Sequence, residues 1–268
     1  MRIVKFLNKD GDTVHGTLGS IEERIAYRIV GDIYGEYEVT DRREDIVKFL
    51  SPVAPTMIIG LGLNYRKHAE ETGVLCPEIP VMFLKGINSV IGHEEYIILP
   101  KIGAGQVDYE AELAVVIGKD AKNINQSEAM DYVLGYTCAN DVSARDWQIE
   151  KQKKQWARGK SFDTFCPLGP CLVTKDELKN PNNLQISLFI NGIRCQNSNT
   201  SDMVFYVPDI ISNLSQSLTL LRGTVILTGT PQGVGFVRKP PVFLKEGDQV
   251  TVFIENIGYL MNYVRQES

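Results

Sequence analysis

The apolar residues of this chain gather in runs of strand length, and the long amphipathic period of a helix is rare. Residues 57–60, 81–84, 110–117, 132–140, 168–173, 185–190, 225–227, 249–254 and 259–264 are short stretches rich in β-branched and aromatic side chains. Helical periodicity is confined to 65–72, 144–151 and 209–218. Strands that do not alternate with long helices do not build a doubly wound parallel sheet. The expected class is therefore α+β and β-rich.

The first fifty residues repeat this pattern on a smaller scale. Residues 2–7, 13–18, 24–30 and 36–39 read as strands, with Asn8-Lys9-Asp10-Gly11 as a turn, and 42–49 reads as a helix. Ser51-Pro52-Val53-Ala54-Pro55 is a Pro-punctuated connection, because proline lacks a donor N–H and biases its predecessor away from helix. The expected division is a small β-rich domain, 1–53, followed by a larger domain, 54–268. No internal repeat interrupts either part.

Composition narrows the partners. With 43% hydrophobic and 23% charged residues in 268, the chain is long enough to bury its own core. A net charge of −5 carries no basic footprint for nucleic acid or anionic lipid, so neither partner is expected. The longest apolar runs, such as 56–63, fall well short of the roughly 18 residues that cross a bilayer. The N-terminus shows neither the apolar core nor the cleavage site of a secretory signal. Five cysteines, none in a C-x-x-C spacing, argue against a disulfide framework or a structural zinc site, and a reducing cytoplasm is the expected compartment.

Two glycine-rich stretches invite a nucleotide reading, and neither completes the motif. Gly60-Leu61-Gly62 lacks the third glycine of a dinucleotide fingerprint and reads as a tight turn. The stretch 229–235 lacks the Lys-Ser/Thr end of a phosphate loop. It is either a structural turn or a source of N–H groups for an anionic ligand.

The richest chemistry lies in 108–118, Asp-Tyr-Glu-Ala-Glu-Leu-Ala-Val-Val-Ile-Gly. On a strand, Glu110 and Glu112 point to one face about 7 Å apart, and Ala114 and Val116 continue that face as an apolar floor. Two carboxylates on a semi-buried face repel each other until one is protonated or a cation sits between them. An isolated E-x-E is better read as a solvated strand end. Asp141, at the end of the apolar run 132–140, supplies a third carboxylate. Three carboxylates without His or Cys would make a hard, all-oxygen site suited to Mg²⁺ or Mn²⁺.

A second group is His68 and Glu71, at i and i+3 on a short helix closed by Gly73. Such a pair works as a base when the carboxylate holds the imidazole tautomer, although on spacing alone an incidental ion pair on an exposed helix is the better reading. His15 and His93 have no comparable partner and read as surface residues. In 155–170, cations stand among aromatics and glycines. Lys160 suits a carboxylate or a developing oxyanion, Arg158 suits a stack on Trp156 or a surface ion pair, and Phe162 and Phe165 read as core.

Taken together, these segments resemble the fumarylacetoacetate hydrolase family. The likeness runs from about residue 56 to about 265 through G-x-N-Y-x-x-H-x-x-E (62–71), D-Y-E-x-E-L-A-x-V-I-G (108–118), N-D-V-S-A-R-D-x-Q (140–148), R-G-K-S-F-D-T-F-C-P-x-G-P (158–170), T-G-T-P-x-G-V-G (228–235) and L-K-x-G-D (244–248). It departs from the usual pattern at Gly92-His93-Glu94 and at Leu221-Arg222-Gly223. The resemblance implies a mixed β-roll or β-sandwich catalytic domain behind a small N-terminal β domain, and a homodimer. It implies that Glu110, Glu112 and Asp141 ligate Mg²⁺ or Mn²⁺. His68 and Glu71 would be a water-activating pair on a mobile lid, and Gln148, Lys160 and Thr230 would contact the substrate.

The chemistry implied is that of small 2-oxo or β-diketo acids. A metal that chelates the carboxylate and the adjacent 2-oxo oxygen makes a pyruvate enolate a feasible leaving group. The expected activity is hydrolysis of the C–C bond of an acylpyruvate, with water delivered by His68 and the oxyanion met by Lys160. Oxaloacetate decarboxylation and hydroxymuconate-type isomerisation or decarboxylation are the alternatives, since they use the same enolate without water attack.

Overall fold

The computed structural model describes residues 1–19 and 22–268. The chain opens with β1 (Arg2–Leu7), β2 (Thr13–Thr17), β3 (Ile25–Gly31), β4 (Tyr37–Asp45) and β5 (Lys48–Leu50). There follow β6 (Ile58–Gly62), helix α1 (Arg66–Thr72), β7 (Val81–Lys85), β8 (Val90–Ile91), β9 (Tyr96–Leu99), β10 (Val107–Asp108) and β11 (Ala111–Ile117). Next come β12 (Val133–Asn140), β13 (Ser143–Ala144), helix α2 (Ala157–Lys160), β14 (Cys166–Thr174), β15 (Gln185–Ile190) and β16 (Ile193–Asn199). Helix α3 (Val207–Ser217), β17 (Val225–Leu227), β18 (Gln249–Ile254) and β19 (Gly258–Gln266) complete the order. The β-rich α+β class is the one observed.

Twelve of these strands form one sheet, in the order β4-β3-β2-β1-β14-β12-β11-β17-β6-β7, with β5 paired to β1 and β8 to β14. A five-stranded sheet, β16-β15-β18-β19-β9, packs against its middle. The alternation along β11 explains the layering. Leu113, Val115 and Ile117 enter the core shared with Ile186, Leu188, Val252 and Leu260, whereas Ala114 and Val116 enter a second core with Ile3, Val53, Ile58 and Leu172. The N-terminal strands join the same sheet: β1 pairs antiparallel with β14, Arg2 opposite Val173. Among the described residues no helix is long and apolar enough to cross a membrane.

Two expected helices and one expected surface residue differ in the fold. Residues 42–49 form the end of β4 and β5, not a helix. Ala26 faces Glu44 across the β3–β4 ladder, and the buried Glu44 carboxylate is held by Arg28, Arg42 and the Asn8 amide. Pairing across the sheet overrides the helical tendency of a charged run. The helix expected over 144–151 begins at Asp146, because Ala144 pairs with Val107 in a two-stranded ladder.

The third correction is His93, which is buried and not a surface residue. Its Nδ1 accepts the Met261 N–H at 3.0 Å and its ring meets Phe49 edge-on. Burial depresses its pKa from 6.5 to about 4. Between those values the unfolded chain takes up a proton that the folded chain refuses, so stability is lost as pH falls from 6.5 to about 4 and no further below. The loss attributable to His93 is on the order of 3 kcal/mol. Urea unfolding across this window is expected to show a steeper decline for the native chain than for His93→Asn, whose amide oxygen can still accept the Met261 N–H. Equal slopes would assign the decline to other groups.

Candidate active site

The register of β11 and β12 brings the three carboxylates together. Ala111 lies opposite Asn140, so Asp141 emerges beside Glu110 and donates its N–H to the Glu110 carbonyl at 2.9 Å. Asn140 Oδ1 in turn accepts the Glu110 N–H at 3.0 Å. Glu110, Glu112 and Asp141 are all buried, and each offers a carboxylate oxygen within 4.8 Å of the others.

Buried cations answer two of the three. Lys160 Nζ, from α2, lies 2.5 Å from both Glu110 Oε2 and Asp141 Oδ2. Lys85 Nζ, from the end of β7, lies 2.6 Å from Asp141 Oδ1, and Arg145 Nη2 lies 2.6 Å from Glu110 Oε1. Burial would push the Glu110 carboxyl up, but Lys160 and Arg145 outweigh it and hold the group below the ordinary carboxylate range. Burial also works against the Lys160 ammonium, and Asp141 and Glu110 reverse that and raise it. Glu112 differs. It accepts the Gly229 N–H at 2.6 Å, and among the described residues no cation forms an ion pair with it. Burial, then repulsion from Asp141 and Glu110, pushes its carboxyl well above 4.5.

That imbalance is the test of whether a metal fits. Asp108, Glu110, Glu112 and Asp141 are four buried carboxylates facing three buried cations, Lys85, Arg145 and Lys160. A divalent cation bound to Glu112 and its neighbours would relieve the excess, and the all-oxygen donor set is that of a hard ion. The triad can hold a metal ion.

The glycine-rich loop after β17 serves this site with its backbone. Gly229 N–H goes to Glu112, Gly235 and Phe236 N–H go to Asp108, and Gly233 N–H meets both Glu71 oxygens at 3.0 Å. The anions these N–H groups meet are the protein's own carboxylates. Gly233 takes a φ of +99° with the Cys195 carbonyl where a Cβ would stand, so only glycine presents its N–H this way. His68 Nδ1 lies 3.3 Å from Glu71 Oε2, and α1 is closed by Gly73 in the left-handed conformation. The base of α1 is pinned: the Asn64 amide bonds Phe205 and Thr228, and the Lys67 N–H bonds Asp202.

A cavity of about 310 Å³ opens over these groups. Of the residues expected from sequence, His68, Glu110, Gln148, Lys160 and Thr230 line it, while Glu112 and Asp141 adjoin Glu110, and Glu71 adjoins His68, without lining it. The Gln148 Oε1 accepts from Arg145 Nη1 at 2.9 Å. The Thr230 hydroxyl donates to the Ala111 carbonyl and accepts from the Gln196 amide. Leu61, Phe83, Trp156 and Phe236 form apolar wall. Gly60 and Gly62 are not a tight turn but part of β6, where the missing Cβ atoms admit the rings of Phe83 and Trp156. Arg158 stacks on Trp147, 4.3 Å from its centroid, and not on Trp156. Phe165 is fully buried and Phe162 packs against the core, as read.

Sequence reasoning missed Lys85, Asp108 and Arg145 as parts of the site. Asp108 Oδ2 accepts from Arg145 Nε at 2.8 Å, and Arg145 lies over the Phe236 ring at 4.4 Å. The available signal was a lysine ending the apolar run 81–84 and the acid that opens D-Y-E-x-E.

Residues 57–265 match the family model for the fumarylacetoacetate hydrolase C-terminal domain. The chain belongs to the fumarylacetoacetate hydrolase family. A Rattus norvegicus member named a mitochondrial oxaloacetate tautomerase is 52% identical over 219 residues, 81% of this chain and 69% of that protein. Among solved structures, a family member described as 5-carboxymethyl-2-hydroxymuconate delta-isomerase from Mycobacterium smegmatis superposes with a TM-score of 0.87 at 36% identity, covering 100% of both chains. A fumarylacetoacetate hydrolase from Exiguobacterium antarcticum reaches a TM-score of 0.89 at 34% identity, again over 100% of both.

Proposed function

We propose that this family member catalyses keto–enol proton transfer on a small 2-oxo acid of the oxaloacetate type, with a divalent metal as cofactor. The observation that carries this reading is that one cavity is lined by His68, held by the Glu71 carboxylate, by the buried cations Arg145 and Lys160, and by Glu110 of the all-oxygen triad. The relatives named tautomerase and isomerase favour it over the C–C hydrolysis expected from sequence.

Mg²⁺ or Mn²⁺ held by Glu110, Glu112 and Asp141 would supply Lewis-acid polarisation of the substrate carboxylate and 2-oxo oxygen. Gln148, whose Oε1 is taken by Arg145, offers its amide N–H to the acid, and Thr230 shapes the wall beside it. His68, with Nδ1 engaged by Glu71, presents Nε2 to take the proton from the carbon beside the ketone. The C–H electron pair moves into the new C=C bond, and the carbonyl oxygen gains the charge. Lys160 and Arg145, both buried, lower the cost of that charge. His68 returns the proton to oxygen, and the enol leaves.

The test follows the enol absorbance of oxaloacetate with protein, with and without chelator. Chelator-sensitive acceleration of tautomerisation, with oxaloacetate conserved, is the expected result. No acceleration, or CO₂ release as the only catalysed change, would overturn it. The His68–Glu71 pair is also what water activation needs, so acylpyruvate hydrolysis stands as the second reading. Chelator-sensitive release of acetate and pyruvate from acetylpyruvate would favour it.

A further inference from the structure

We infer that Lys154 is a specificity-determining residue, holding a second, distal carboxylate of the substrate at the mouth of the cavity. The inference rests on the oxaloacetate-type reading above and assigns, within it, the residue that recognises the carboxylate far from the ketone.

Among the described residues, three Lys or Arg side chains line the cavity: Arg145, Lys154 and Lys160. The first and last are buried and committed, Arg145 to Asp108 and Glu110, Lys160 to Glu110 and Asp141. Lys154 is exposed, and among the described residues no carboxylate pairs with it. It is therefore, among the described residues, the cation on this wall that no protein carboxylate pairs, placed apart from the Arg145 and Lys160 that serve the reacting end. The contrast in burial also orders the cavity: the paired cations stand at its floor and Lys154 at its mouth.

The backbone argues that this placement is specific. Lys153 and Lys154 follow the helical segment Asp146–Lys151 with φ of 49° and 65°. Two successive left-handed residues at a helix end are a position that glycine usually fills, since a side chain there is strained. Here the turn is nevertheless closed, with Lys153 N–H on Glu150 O at 3.1 Å and Lys154 N–H on Ile149 O at 3.0 Å. Strained residues persist where the surroundings hold them, commonly at ligand clamps. The chain thus holds a lysine where glycine would be easier, and that lysine borders the cavity. A ligand whose 2-oxo carboxylate sits at the floor and whose far end carries a second carboxylate would meet it.

The test compares 2-oxoglutarate with 2-oxohexanoate, which has an apolar end instead of the second carboxylate. Calorimetric binding to the Mg²⁺-loaded protein is expected to show an about tenfold preference for the dicarboxylate, declining with added salt. Lys154→Met should lose the preference and Lys154→Arg keep it, with the Mg²⁺-induced rise in Tm retained in both as evidence of an intact fold. Equal affinities in the native protein, or an undiminished preference in Lys154→Met, would overturn the assignment while leaving the 2-oxo acid reading in place. Failure of both acids to bind would overturn the two together.

Discussion

Replacing Glu112 by glutamine is expected to stabilise the metal-free protein and to abolish catalysis, two effects of opposite sign from one carboxylate. Glu112 is buried, receives one N–H from Gly229, and feels Asp141 and Glu110 more strongly than Lys160, with which it forms no ion pair. Its carboxyl is displaced well above 4.5 by burial and then by those two neighbours. The sign follows. Below 4.5 both folded and unfolded chains hold the proton and nothing is lost. Above it the unfolded chain releases a proton that the folded site retains, so the metal-free protein loses stability as pH rises toward the displaced pKa. Glutamine keeps an acceptor for Gly229 and removes the charge, so that decline disappears.

Binding a divalent ion inverts the balance, because the same carboxylate becomes a ligand. Thermal unfolding with chelator should give a higher Tm for Glu112→Gln than for the native chain, and unfolding with Mg²⁺ should raise only the native chain. Turnover should fall about 10³-fold, the loss of several kcal/mol of charge stabilisation in the transition state. A variant that melts lower than the native chain in chelator, or that keeps the full Mg²⁺ response, would sink the metal assignment.

The parts of this site that were legible in the sequence are those governed by local period. Alternation along 110–117 placed Glu110 and Glu112 on one face, and the i, i+3 spacing placed His68 beside Glu71. The parts that were not legible depend on chain segments far apart. Lys85 meets Asp141 across 56 positions, and a lysine at a strand end reads as solvated until its partner is known. His93 is buried because β19 supplies the Met261 N–H from 168 residues on. Residues 42–49 failed for the related reason that the strand pairing with β3 is non-local, whereas helix propensity is not. The glycine loop was readable as a source of N–H groups. Its recipients, Glu71, Asp108 and Glu112, follow only from the assembled sheet.

Removing the imidazole tests the other half of the mechanism. His68 borders the cavity with its Nδ1 engaged by Glu71, and Glu71 is fixed in turn by the Gly233 N–H. A base whose carboxylate partner is itself held serves proton transfer because its orientation is settled before substrate arrives. His68→Ala is therefore expected to slow oxaloacetate tautomerisation by about 10²- to 10⁴-fold, the usual contribution of a positioned general base. Added imidazole should restore part of the rate in proportion to its concentration, which loss of a packing residue would not permit. The Mg²⁺-induced rise in Tm should persist, since His68 is not among the triad. Glu71→Gln should lose less: the amide still accepts from Gly233, but the charge that supports the imidazolium is gone. Unchanged tautomerisation in His68→Ala would remove the histidine from the reaction. If the same variant lost acetylpyruvate cleavage while tautomerisation persisted, the pair would act on water, and hydrolysis would become the primary reading.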